Sequence, residues 1–175
     1  QSFYDFCDEL GMVVWAEIPF ISRFINTKEA KEDTVRQMRE LIMQNYNHPS
    51  ICFWGISNEI TMGEESDELV ENQRILQKLC HKLDPSRKTV LANLTTVESQ
   101  SEQNKITDLS AYNVYMGWYA GKVEDCGAWM DSLHKENSDM CMGISEYGAD
   151  TNVQYHSDAP KRQDYTEEYQ SYYHE

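Results

Sequence analysis

Two glutamates, Glu59 and Glu146, stand in nearly the same local sequence, Ile56-Ser57-Asn58-Glu59 and Ile144-Ser145-Glu146. Each follows a short apolar run, Ile51 to Ile56 in the first case and Met140 to Ile144 in the second. An uncharged run of that length, closed abruptly by polar residues, suits a strand buried on both faces. In a parallel α/β barrel the carboxyl end of such a strand opens into the mouth of the barrel. Two carboxylates on one rim, 146 − 59 = 87 residues apart, could converge there. Paired carboxylates are what glycoside hydrolysis requires: one protonated to donate to the leaving oxygen, the other ionised to attack the anomeric carbon. Their surroundings must push the two pKa values apart. A single Glu at a strand end is equally well explained by an ion pair; the repeated context, with Asn58 beside Glu59, favours chemistry. Glu17 also ends a strand on that rim and is assigned to an ion pair within the barrel ahead of a contact with substrate. His48 precedes its strand and is assigned to a structural turn.

The elements that must position these residues follow from period and punctuation. Residues 2–10 predict a helix with Phe3, Phe6, Cys7 and Leu10 at helical spacing, stopped by Gly11. Met12 to Ala16 predicts a buried strand ending on Glu17, and 18–26 a loop. Thr27 caps a helix whose buried stripe is Val35, Met38, Leu41, Ile42 and Tyr46. After the strand at 51–58, Gly63 and the adjoining glutamates form a loop, and Ser66 caps a helix with Leu69, Leu76, Leu79, Cys80 and Leu83 inward. Asp84-Pro85 ends it. Thr89 to Ala92 is a short strand ending on Asn93, 95–105 a loop or weak helix, and Leu109 to Tyr115 a strand. Gly121 to Lys135 predicts a helix containing Trp129, Met130 and Leu133. The strand at Met140 to Ile144 comes next, then a polar loop from 148 to about 165. Thr166 caps a last helix carrying Tyr169, Tyr172 and Tyr173.

Strands alternating with helices imply a parallel sheet. Five strands are fewer than the eight of a (β/α)8 barrel, which takes ~250 residues. The choice lies between a small doubly wound sheet and a slice of a larger barrel. No Gly-rich phosphate loop follows any strand, as a nucleotide-binding sheet would show. The chain also opens on a helix with no strand before it and closes on one without a stop signal. Both features favour the slice.

With 15 basic and 30 acidic side chains, the 175 residues carry a net charge of −15, which argues against nucleic acid or an anionic membrane as partner. No apolar run approaches the ~20 residues that span a bilayer. Gln1-Ser2-Phe3-Tyr4-Asp5 lacks the basic and apolar regions of a signal peptide. A soluble protein, cytoplasmic or periplasmic, is expected. The five cysteines, Cys7, Cys52, Cys80, Cys126 and Cys141, are odd in number and lack Cys-x-x-Cys spacing. Buried free thiols are expected, with Cys52, Cys80 and Cys141 inside apolar runs.

The stretch Asn47-His48-Pro49-Ser50 followed by Trp54-Gly55-Ile56-Ser57-Asn58-Glu59 resembles the acid/base region of family 2 glycoside hydrolases. Gly143 to Asp150 resembles their nucleophile strand, Asn113-Val114-Tyr115 with Gly117-Trp118-Tyr119 their sixth strand, and His156 with Tyr165 to Gln170 the segment after the nucleophile. The resemblance implies an α/β fold, a partial TIM barrel covering about strands three to seven. The remaining strands and the preceding β-sandwich domains would then lie outside this chain. It implies Glu59 as general acid/base and Glu146 as nucleophile of a retaining mechanism, with carboxyls ~5–5.5 Å apart. Asn58 would bind the sugar 2-hydroxyl and Tyr115 hold Glu146 in its attacking rotamer. Asn113, Trp118 and Tyr119 would line the sugar site, and His156 its wall; core or rim packing for Trp118 and Tyr119, and loop packing for His156, are the equal alternatives. The large β-galactosidases of the family bind magnesium through a Glu after strand five. The corresponding residue here is Asn93, so no metal and no cofactor are expected. Their His after strand three is also missing from Glu17 to Ser22.

Asn113 to Tyr119 leans toward the smaller β-galactosidase-like members, hence a terminal β-D-galactoside as substrate. The alternatives are a β-glucuronidase or β-mannosidase of the same family, or a non-catalytic carbohydrate-binding domain. The expected partners are the carbohydrate, the remaining domains of the parent chain and a second copy in a homo-oligomer. Alone, a slice of barrel leaves two open parallel edges, which invite association and would leave the piece inactive.

Overall fold

The structure is a computed structural model and describes residues 2–62 and 65–175. The loop expected at Gly63 and Glu64 therefore lies outside the described residues. The elements run α1 (Ser2–Leu10), β1 (Val14–Glu17), α2 (Lys28–Asn45), β2 (Ile51–Asn58), α3 (Asp67–Leu83) and β3 (Lys88–Leu94). A short 3₁₀ turn (Glu102–Lys105) follows, then β4 (Leu109–Val114), α4 (Asp125–Glu136), β5 (Met142–Tyr147) and α5 (Glu167–His174). The strand order is β1-β2-β3-β4-β5, and β1 with β2 and β2 with β3 pair in parallel. A doubly wound sheet reverses its order at a switch point, whereas a barrel wall adds each strand beside the last. The consecutive order is that of a barrel wall. Among the described residues no helix is long and apolar enough to cross a membrane.

The chain divides into two compact units, the first running to Ala111 and including Met140–Gly143, the second comprising Tyr112–Asp139 and Ile144–Glu175. In the first, the predicted caps form. Thr27 accepts from the Ala30 amide and Ser66 from that of Leu69, each satisfying an amide that a helix start leaves orphaned. The core packs Met38 and Ile42 of α2, Leu69, Leu76 and Cys80 of α3, and Ile51, Trp54 and Ile56 of β2. Burial pushes the Cys80 thiol up to about 12, so it is an inert core group at neutral pH.

Three local expectations change. The first strand starts at Val14, with Met12 and Val13 exposed. On α1 only Cys7 is buried while Phe3, Phe6 and Leu10 face outward, and Tyr46 is also exposed. Among the cysteines, which are all free thiols, Cys7 and Cys80 are buried but Cys141 is exposed.

Gly55 has a packing role. A Cβ there would lie 2.1 Å from Trp15 Nε1 and 2.4 Å from Glu17 Cβ, so β1 side chains occupy the space a larger residue would need. Gly55→Ala is expected to cost about 1–3 kcal/mol through forced displacement of Trp15, read as a lower denaturation midpoint. An unchanged midpoint would show that Trp15 moves freely.

The second unit centres on Trp118, Ala149, Tyr169 and Tyr173, with Tyr115 and Val123 against them. Thr166 caps α5 by accepting from the Tyr169 amide. α4 begins at Asp125 rather than Gly121 because Gly121 adopts φ +63°. The Lys122 amide instead donates to the Asp125 carboxylate at 2.8 Å in a turn before the helix.

Candidate active site

In the first unit, β2 delivers Asn58 and Glu59. Gly55 pairs with Val90 and Asn58 with Ala92, so 58 − 55 = 3 steps on β2 match 92 − 90 = 2 on β3. The extra residue is a bulge, which breaks strict alternation and re-aims the side chains beyond it. Ile56 and Ser57 are consecutive, yet both are fully buried. The Asn58 amide donates to Phe20 O at 3.0 Å, and its carbonyl accepts from Ser22 N at 3.2 Å. This ties the end of β2 to the loop after β1. Glu59 donates its amide to Ala92 O at 2.9 Å and sits at φ +47°. A glutamate in the left-handed region is uncommon and persists only where its surroundings dictate it.

In the second unit, β5 continues through Ser145 and Glu146 to Tyr147, so Glu146 lies on the strand rather than after it. Tyr115 OH donates to Glu146 Oε2 at 2.7 Å, fixing one carboxylate oxygen. The Tyr119 ring meets that of Tyr115 edge-on, with centroids 5.1 Å apart, and is itself 61% exposed. Ser145 Oγ donates to Asn113 Oδ1 at 2.6 Å, so the buried Asn113 grips the residue beside Glu146. Trp118 is only 1% exposed. It packs edge-on against Tyr165 and tilted against Tyr169, and the Tyr169 hydroxyl donates to Gly117 O. Trp118 is therefore a core residue of the second unit, while the Tyr119 ring is open to solvent.

The other candidates have structural partners. His48 Nδ1 lies 2.7 Å from Asp8 Oδ2, and Asp8 Oδ1 accepts from the Ser50 amide, so His48 pins the turn before β2 to α1. Asp5, Asp8 and His48 form the one metal-capable trio among the described residues, at the amino end of β2, far along the strand from Glu59. Asn93 is buried and donates to Asn104 Oδ1 at 2.8 Å. His156 bonds the Glu168 carboxylate at 2.9 Å and is held above the usual imidazole range by it. Ser57, Ser145, Gln73 and Gln103 carry no role in the reading of the sequence. The serines had a signal, since each precedes its glutamate within the repeated Ile-Ser motif.

Residues 1–175, the whole chain, match glycosyl hydrolases family 2, TIM barrel domain. The chain belongs to that family. Its fold is accordingly part of a TIM barrel, as the strand order and the motif resemblance implied. A relative, the β-glucuronidase of Bacteroides fragilis, is 37% identical over 98% of this chain and 26% of its own length. A crystal structure of an FMN-binding β-glucuronidase from F. prausnitzii L2-6 matches with a TM-score of 0.96 at 54% identity, covering 99% of this chain and 27% of that one. The β-galactosidase of Thermoanaerobacterium thermosulfurigenes is 37% identical over 51% of this chain and 12% of its own length. The chain thus spans about a quarter of the β-glucuronidases it matches.

Proposed function

We propose that this family 2 domain supplies both catalytic carboxylates of a retaining exo-β-glycosidase, part of a longer protein whose other segments complete the site. The bond from Tyr115 OH to Glu146 Oε2 supports the role of Glu146. It anchors one oxygen and orients the other, Oε1, for attack on the anomeric carbon. As the C–O bond to the aglycone breaks, Glu59 gives its proton to the leaving oxygen, and a glycosyl ester forms on Glu146. Glu59, now ionised, takes a proton from water as the water oxygen attacks the same carbon. The ester bond breaks and Glu146 is released. Two inversions leave the β configuration unchanged. Asn58 binds the 2-hydroxyl, Tyr119 faces the sugar, and Asn113 and Trp118 hold the β5 wall through Ser145 and the Tyr165–Tyr169 cluster.

The sugar we assign is β-D-glucuronic acid. Asn113 to Tyr119 leans toward β-galactosidase-like members on sequence alone. However, proteins named β-glucuronidase align over nearly the whole chain at 54% and 37% identity, whereas a putative β-galactosidase from B. fragilis aligned over all of it is 33% identical and the T. thermosulfurigenes β-galactosidase aligns over half. The test compares kcat/KM of the full-length protein on aryl β-glucuronide, β-galactoside and β-mannoside. A preference for the glucuronide of about 100-fold or more is expected, since a site built for a charged group rejects its neutral analogue strongly. A faster β-galactoside would overturn the sugar assignment, and saturable binding without product would support a carbohydrate-binding domain instead.

A further inference from the structure

Glu59 sits in a left-handed conformation, and Ser57 before it and Glu65 after it are tied to the same buried pair of amides. Gln73 of α3 and Gln103 of the 3₁₀ turn are fully buried. Gln73 Nε2 donates to Ser57 Oγ at 3.0 Å and to Gln103 Oε1 at 3.0 Å. Gln103 Nε2 donates to Glu65 Oε2 at 3.2 Å. Ser101 Oγ also donates to Glu65 Oε2 and accepts from the Gln103 amide. One continuous chain of hydrogen bonds thus runs from two residues before Glu59 to six residues after it.

Fold stability alone does not explain this pair. Among the described residues Gln73 Oε1 is buried with no hydrogen-bond partner, an arrangement that costs stability and that an apolar side chain of similar volume would avoid. What the amide provides is two donors, both used to hold neighbours in place. Unusual backbone conformations survive where the surroundings over-determine them, and the Gln73–Gln103 pair supplies that constraint on both flanks of Glu59.

We propose that Gln73 and Gln103 are positioning residues that hold Ser57 and Glu65 on either side of Glu59 and so keep the Glu59 carboxyl where it protonates the leaving oxygen. The inference rests on the reading of Glu59 as the acid/base. It predicts a dependence on the leaving group that a merely structural role would not produce. Phenoxide leaves poorly without a proton, whereas a dinitrophenolate leaves unaided.

The experiment measures kcat/KM of the full-length protein on phenyl and dinitrophenyl β-D-glucuronide for Gln73→Met, Gln103→Met and Glu59→Ala, with thermal midpoints alongside. For each glutamine variant, the phenyl substrate is expected to lose roughly 10- to 100-fold, the scale of a misplaced catalytic group. The dinitrophenyl substrate should change less than about threefold, because it needs little acid assistance. Glu59→Ala should show the same pattern more strongly. Equal losses on both substrates, or no loss on either, would overturn the positioning role while Glu59→Ala keeps its pattern. Full activity of Glu59→Ala on the phenyl substrate would instead overturn the acid/base assignment. If neither glutamine variant accumulates, Ser57→Ala, which removes only the hydroxyl held by Gln73, is judged by the same ratio.

Discussion

Glu146→Gln in the full-length protein is expected to lower kcat by about four orders of magnitude or more while leaving the thermal midpoint nearly unchanged. The amide has the shape of the carboxylate, and its oxygen still accepts the Tyr115 hydroxyl bond seen at 2.7 Å. It has no charge with which to attack the anomeric carbon. Glu146→Ala leaves room for a small anion. Added azide should then attack from the face that Glu146 occupied and release a glycosyl azide of inverted configuration. Glu59→Ala with an activated aryl glycoside should behave oppositely. Here the glycosyl ester on Glu146 still forms, and azide replaces water in the second step, giving a glycosyl azide of retained configuration. The two product configurations assign the carboxylates separately. Full turnover by Glu146→Gln would remove Glu146 from the chemistry.

The parts of this molecule legible in sequence are those that local chemistry decides. Thr27, Ser66 and Thr166 each accept the amide expected of a helix cap, because a cap needs only a hydroxyl and three following residues. Ile51 to Ile56 forms a strand because an uncharged run of six residues, bounded by a turn and by polar residues, is too short for a buried helix. What was not legible depends on partners distant in sequence. The apolar run before Glu146 ends at Ile144, yet β5 continues through Tyr147, with the Ser145 hydroxyl finding Asn113 32 residues away. The bulge between Gly55 and Asn58 exists only relative to β3, and it makes Ser57 face α3 rather than follow strict alternation. Gln73 and Gln103 look like solvated helix and loop residues until Ser57 and Glu65 are placed beside them. Trp118 could be a sugar platform or core from its type alone; Tyr165 and Tyr169, folding back over it, decide for core.

Asp84→Ala should produce the complementary result, a large loss of stability with kcat preserved in the protein that remains folded. Asp84 closes α3 at the end of the strands opposite Glu59, and its side chain is fully buried. Oδ2 accepts from Trp54 Nε1 at 3.0 Å and Arg87 Nη1 at 2.7 Å. Oδ1 accepts from the Ser86 amide at 3.0 Å and the Ser86 hydroxyl. Arg87 in turn donates to Ile51 O and His48 O and lies over the rings of Tyr46 and Trp54. Removing the carboxylate leaves a nearly buried guanidinium and an indole N–H without their acceptor, which for a broken buried pair costs about 3–5 kcal/mol.

Burial alone would raise the Asp84 pKa, but the hydrogen bonds from Ser86, Arg87 and Trp54 outweigh it and hold the group at about 2, below its ordinary 3.8. A folded pKa below the unfolded one means that the ionised group favours the folded state. That contribution, about 2 kcal/mol, is fully present above about pH 4 and is lost as pH falls through about 2. The stability gap between the native protein and Asp84→Ala should therefore be widest at neutral pH and narrow in acid. A gap that stayed constant from pH 7 to pH 2 would place the stabilisation in packing around Trp54 rather than in the charge on Asp84.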